Sequence, residues 1–132
     1  MADQTDAPTT LFDRMGGATA IAAIADRFYG LIDSDPRYAA LRAIHEADLR
    51  GVQQSTAGFM SGWLGGPRDW FDAHPGRCIM SLHRGVHVTP ATAGQWLHAM
   101  GRALEEAHID PEVAGQMRRA FAGMAATMIA VD

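Results

Sequence analysis

The sequence predicts an all-α domain, and three observations predict it. Apolar residues recur at helical spacing along nearly the whole chain. Strand-like alternation is confined to Val86-His87-Val88, which reads as loop. Three helix starts carry a capping side chain followed by proline, at Asp35-Pro36, Thr89-Pro90 and Asp110-Pro111. The chain has 132 residues, 48% of them apolar, enough to fill one core and too many for a disordered tail.

Residues 1–10 carry two acids, no base and no apolar block, so they read as a flexible leader rather than a secretory signal; the domain proper is residues 11–132. A short helix from about Thr10 to Arg14 turns at Gly16-Gly17 into a longer one. Ile21, Ile24, Ala25, Phe28, Leu31 and Ile32 form the apolar face of that helix. Asp35 then caps a short helix from Pro36 to about Leu41. Asp48 is the next cap candidate, opening a helix that buries Leu49, Val52, Thr56, Phe59, Met60 and Trp63 and stops at Gly65-Gly66-Pro67. A loop to about Arg77 and a brief helical stretch, Cys78 to Arg84, come next. Two helices close the chain, one burying Ala93, Trp96, Leu97, Met100 and Leu104, the other Val113, Met117, Phe121, Met124 and Met128. Two helix pairs would make the core, with residues 64–88 contributing little packing of their own.

Composition narrows the function. All 11 basic residues are Arg, against 15 acids, for a net charge of −4; there is no basic run, which speaks against a nucleic-acid surface or a polybasic membrane anchor. The most apolar stretch, Phe121 to Val131, falls short of the roughly 20 residues a bilayer span needs. Cys78 is the single cysteine, so no internal disulfide forms and a reducing cytoplasm is compatible. No phosphate-binding glycine loop, G-x-S-x-G elbow or Cys–His nucleophile is present.

The loop after Gly65 is the first pointer to a site. Compact domains seldom keep more than ~15 loosely structured residues unless these serve a function. A bound cofactor would replace the missing core there; a surface loop ordered by Trp70 and Phe71 is the plainer alternative. His83 lies in the apolar stretch Cys78-Ile-Met-Ser-Leu-His83. His83 and His87 are four apart, a zinc-ligand spacing on a helix, although Gly85 and Thr89-Pro90 interrupt it. Tyr29 occupies a near-core position whose hydroxyl needs an acceptor, a backbone carbonyl on the plain reading. Trp96 brings an indole N–H to a buried face, and His45 falls in a connection, solvated by default.

In order and spacing, Leu11-Phe-Asp-Arg-Met-Gly-Gly17, Arg27-Phe-Tyr29, Trp63-Leu-Gly-Gly-Pro67, Ile79-Met-Ser-Leu-His83 and Trp96, thirteen residues beyond that histidine, resemble a group II truncated haemoglobin over about residues 11 to 130. The resemblance implies a globin-like two-over-two helical sandwich around one haem b (iron protoporphyrin IX). It implies His83 as the axial iron ligand and Tyr29, Trp96 and His45 as groups that stabilise a bound ligand, with Ile44 the alternative to His45. It implies Phe28, Val52, Gln53, Thr56 and Phe59 around the distal side, Ile79, Val86 and Val88 against the macrocycle, and Arg77 and Trp70 at the propionates. Two departures stand out. The family's Arg-His-x-Pro-Phe is Leu82-His83-Arg84-Gly85-Val86 here, and Val52 is small and apolar where vertebrate-type globins use a distal histidine.

The expected partners are O₂, CO and NO, with an external reductase, and neither nucleic acid nor membrane. Three donors make O₂ leave slowly, so redox chemistry such as NO dioxygenation or peroxide handling is expected ahead of O₂ delivery, with Tyr29 or His45 able to ligate iron when no gas is present. A catalytic role and ligand storage or scavenging without turnover are both compatible with these residues. The competing classes are a gas-sensing or O₂-storage globin, and a non-haem all-α module binding metal through His83 and His87.

Overall fold

The computed structural model describes residues 10–75 and 88–130. Its helices are α1 (Leu11–Met15), α2 (Gly17–Ser34), a 3-10 turn (Pro36–Tyr38), α3 (Ala39–Ala43), α4 (Arg50–Trp63), α5 (Asp69–Ala73), α6 (Pro90–Glu106) and α7 (Pro111–Ala130). There is no strand among the described residues.

Local chemistry accounts for the ends. The Thr10 hydroxyl accepts from the Asp13 N–H at 3.1 Å and starts α1, and Gly16, at φ 116°, makes the left-handed turn into α2. Thr89 and Thr92 form a reciprocal capping box at the start of α6, with Pro90 in the first turn. The Asp110 carboxylate accepts from the Val113 N–H at 3.2 Å and caps α7. Two of the three cap–proline signals, Thr89-Pro90 and Asp110-Pro111, mark α-helix starts, and Asp35-Pro36 opens a 3-10 turn.

The helix α2 is the spine. It packs on α4 and on α6, and α6 packs on α7, which gives two helix pairs joined through the α2–α6 contact. Ile24 and Phe28 have no exposed surface, and Ile21 and Ile32 almost none.

Three expectations need correction. The helix expected from Pro36 to Leu41 is a 3-10 turn followed by α3, which runs on to Ala43. The Asp48 carboxylate accepts from the Arg50 N–H, but it is tied up in a side-chain pair with Arg50 and the helix begins only at Arg50. The segment after Gly65 packs well in its described part, because it contains α5. Trp70 of α5 is buried, and Gly58 and Gly62 of α4 make room for α5: a Cβ on Gly58 would lie 2.8 Å from the Trp70 Cβ, and one on Gly62 would lie 2.5 Å from the Phe71 ring. Two glycines on one face of α4 form the groove for an aromatic pair. The helical stretch expected over Cys78 to Arg84 lies outside the described residues.

Candidate functional site

A cavity of about 470 Å³ opens between the two helix pairs. Each wall comes from a helical stripe. From α4 come Val52, Ser55, Thr56 and Phe59, at offsets 0, 3, 4 and 7. From α7 come Phe121, Met124, Ala125 and Met128, at the same offsets. Tyr29 enters from α2, Leu41, Ile44 and His45 from α3 and its exit, Trp70 from α5, Val88 from the start of the α6 approach, and Trp96 from α6. The lining is mostly apolar with a few convergent polar groups, the usual character of a small-ligand site.

Tyr29 is 4% exposed, and its hydroxyl is paired with the Thr56 hydroxyl at 2.7 Å, not with a backbone carbonyl as its position suggested. Burial raises the phenol pKa above its ordinary value, and the Thr56 hydrogen bond offsets part of this, so the group keeps its proton at neutral pH. The pair consumes one hydroxyl hydrogen and leaves the other for a third partner. Phe28 lies behind this wall, edge-on to Tyr29 at 4.8 Å and 5.2 Å from the Trp96 ring. Gln53, on α4, is half-buried and stands off the cavity lining.

Ile44 and His45 both reach the cavity, but differently. Ile44 is 45% exposed, at the rim. His45 is half-buried, and its ring stands 6.1 Å from that of Tyr29. The His45 Nδ1 lies 2.8 Å from the Leu41 carbonyl oxygen. A carbonyl can only accept, so Nδ1 carries the hydrogen and the neutral ring has a bare Nε2.

A polar cluster holds α3 in place. Arg102 donates to the Tyr38 hydroxyl at 3.3 Å and to Asp35 at 2.9 Å, which leaves the Tyr38 O–H to donate to His98 Nδ1 at 2.7 Å. The Gln95 carbonyl oxygen accepts from the Leu41 N–H at 3.0 Å. Through these contacts α6 fixes the short helix that delivers His45. The Arg37 guanidinium, with Arg102, holds the Asp35 carboxyl well below the usual carboxylate range.

Trp70 Nε1 is buried without a hydrogen-bond partner among the described residues. An orphaned donor costs about 1–3 kcal/mol, which an acceptor on a bound group would recover. The described residues hold no group of three His, Cys, Asp or Glu able to bind a metal ion. His83 and His87, together with Arg77, Ile79 and Val86, lie outside the described residues.

Fold and cavity together define a two-over-two globin. The bacterial-like globin family model matches residues 10–130, and the chain belongs to that family. It is similar to the group II 2-on-2 hemoglobin of Agrobacterium tumefaciens, at 30% identity and a TM-score of 0.87 over 92% of this chain and 94% of that one. The cold-adapted truncated hemoglobin of Pseudoalteromonas haloplanktis TAC125 is similar at 27% identity and 0.87, over 92% of this chain and 98% of that one. The group 2 truncated hemoglobin YjbI of Bacillus subtilis is 25% identical over 97 residues, 74% of this chain and 71% of that protein. The family makes this chain a haem globin that binds small diatomic ligands. The cavity suits such a group: its walls are apolar and aromatic, polar hydrogens gather at Tyr29 and Thr56, and a buried N–H on Trp70 waits for an acceptor. No helix among the described residues is long and apolar enough to cross a membrane.

The wall that sequence reasoning missed is that of α7. Its Phe121, Met124 and Met128 look like plain core, and only the facing stripe on α4 reveals that they border a space.

Proposed function

We propose that this globin holds haem b through His83 and works as a redox catalyst on bound diatomic ligands or peroxide in the cytoplasm, rather than as an oxygen carrier. The haem would supply a ferrous centre for the ligand and one-electron chemistry. A ligand that gathers negative charge on binding is favoured by O–H and N–H donors in a dry cavity, at about 1–3 kcal/mol for each such bond. The observation that carries this reading is the Tyr29–Thr56 hydroxyl pair, which leaves one hydrogen to spare on the cavity wall. Trp96 adds an indole from α6. Strong retention makes a poor carrier and gives a second reactant, such as NO, time to arrive. Electrons come from a separate reductase. Trp70, through its unpaired N–H, and Arg77 would contact the propionates, with Ile79, Val86 and Val88 against the macrocycle. Absorption spectra of wild type and His83→Ala, in ferric, ferrous and CO-bound forms, test the ligation: loss of the Soret band or a changed coordination state is expected in the variant, and an unchanged spectrum overturns it.

A second reading concerns the state without gas. The His45 tautomer favours His45 over Tyr29 as an endogenous sixth ligand, because its Nε2 is bare while the Tyr29 phenol keeps its proton. A six-coordinate ferric spectrum that disappears in His45→Ala supports this; one that survives loss of both His45 and Tyr29 removes it.

A further inference from the structure

The three tryptophans of the chain lie in one aromatic array. Trp96 contacts the Phe121 ring at 5.0 Å, and Phe121 contacts Trp63 at 5.0 Å. On the other side Trp70 meets Phe59 edge-on at 5.8 Å, and Phe59 stacks on Trp63 at 5.9 Å and 15°. Trp96 and Trp70 line the cavity; Trp63 does not, and is partly exposed. Phe121 and Phe59, which also line the cavity, each bridge one of these indoles to the same partly exposed Trp63.

Ring pairs at about 5–6 Å are ordinary core packing; what singles out this array is that it links the cavity to a partly exposed indole. An indole, unlike a phenol, can give up an electron without first shedding a proton, and electron transfer between rings in contact is far faster than across an equal gap of saturated chain. We infer that Trp63 is a surface relay through which one-electron equivalents enter the cavity from donors too large to go in. The inference rests on the haem reading above. With hydrogen peroxide as oxidant the balance closes: peroxide takes up two electrons and two protons and leaves as two waters. Each electron passes inward through Trp63, which is refilled by a phenolic donor at the surface, and each phenol loses its O–H proton to solvent and departs as a phenoxyl radical.

The test uses the full chain loaded with haem and treated with hydrogen peroxide and a nitroso spin trap. Peptide mass spectrometry then maps the adducts. Without a phenolic donor, wild type is expected to carry the adduct on Trp63. With a bulky phenol present, that adduct should be lost and the phenol oxidised. Trp63→Phe should lose oxidation of the bulky phenol and move the adduct inward to Trp96 or Trp70, with its CO-bound spectrum unchanged. Adducts that avoid Trp63 in wild type, or bulky-phenol oxidation undiminished in Trp63→Phe, overturn the relay while a normal Soret band leaves the haem reading standing. A protein that takes up no haem overturns both, and the missing Soret band tells the two failures apart.

Discussion

Tyr29 shows how much one buried hydroxyl can decide. Almost wholly buried, it is hydrogen-bonded to Thr56, and burial disfavours its ionisation near neutral pH. A proton held this firmly is available as a donor at every physiological pH. Tyr29→Phe is therefore expected to speed O₂ dissociation by about tenfold, the equivalent of one charge-assisted hydrogen bond near 1.4 kcal/mol. Trp96→Phe should act in the same direction. Stopped-flow displacement of O₂ by CO measures both, and unchanged rates in the two variants would leave slow release without a cause. His45 is a different kind of group. With Nδ1 committed to the Leu41 carbonyl, its neutral ring has only an acceptor nitrogen left, so the donor role expected of it requires a protonated ring. That distinction lies in a 2.8 Å contact across one helical turn, which residue spacing alone does not reveal.

At the scale of elements, what could be read in advance was whatever depends on local chemistry. Thr89-Pro90 and Asp110-Pro111 mark real helix starts because a cap and a fixed φ act within one turn. The α2 face was legible because 3.6-residue periodicity survives any tertiary arrangement. Tyr29, Trp96 and His45 were picked out by family resemblance, and the structure brings all three to one cavity. What stayed hidden depends on distant partners: that α5 exists and packs, that Thr56 meets Tyr29, and that the α7 stripe faces a space. The groove on α4 makes a measurable case. Gly58→Ala gains about 1 kcal/mol of helix propensity but drives a methyl to 2.8 Å from the Trp70 Cβ, and overpacking costs about 1–3 kcal/mol. The net expectation is destabilisation, seen as a lower urea midpoint. Gly30→Ala in α2 meets nothing within 4 Å and should instead stabilise, by about 0.5–1 kcal/mol. Equal responses at the two positions would mean that α5 does not press on α4.

At the scale of the whole molecule, two linkages set stability, one to protons and one to haem. Asp35 joins the 3-10 turn to α6 through Arg102 and to its own turn through Arg37. Its folded pKa is depressed, so its contribution is fully present above the unfolded value of about 3.9 and fades as pH falls through and below that value. The gap in urea midpoint between wild type and Asp35→Asn should be flat from about pH 7 to 5 and narrow below about pH 4; a gap that ignores acid would show that charge plays no part in the tie. Haem acts on the same balance by mass action. A ligand that binds only the folded state at 1,000 times its Kd adds about 4.1 kcal/mol. For a domain of this size, each kcal/mol moves Tm by roughly 3–5 °C, so the loaded protein should melt more than 10 °C above the apo-protein. On the proposed ligation His83 acts on stability through haem, so wild-type and His83→Ala apo-proteins are expected to melt together. The variant should then gain far less on loading. An equal rise in both would mean that the cavity walls, rather than that imidazole, hold the cofactor.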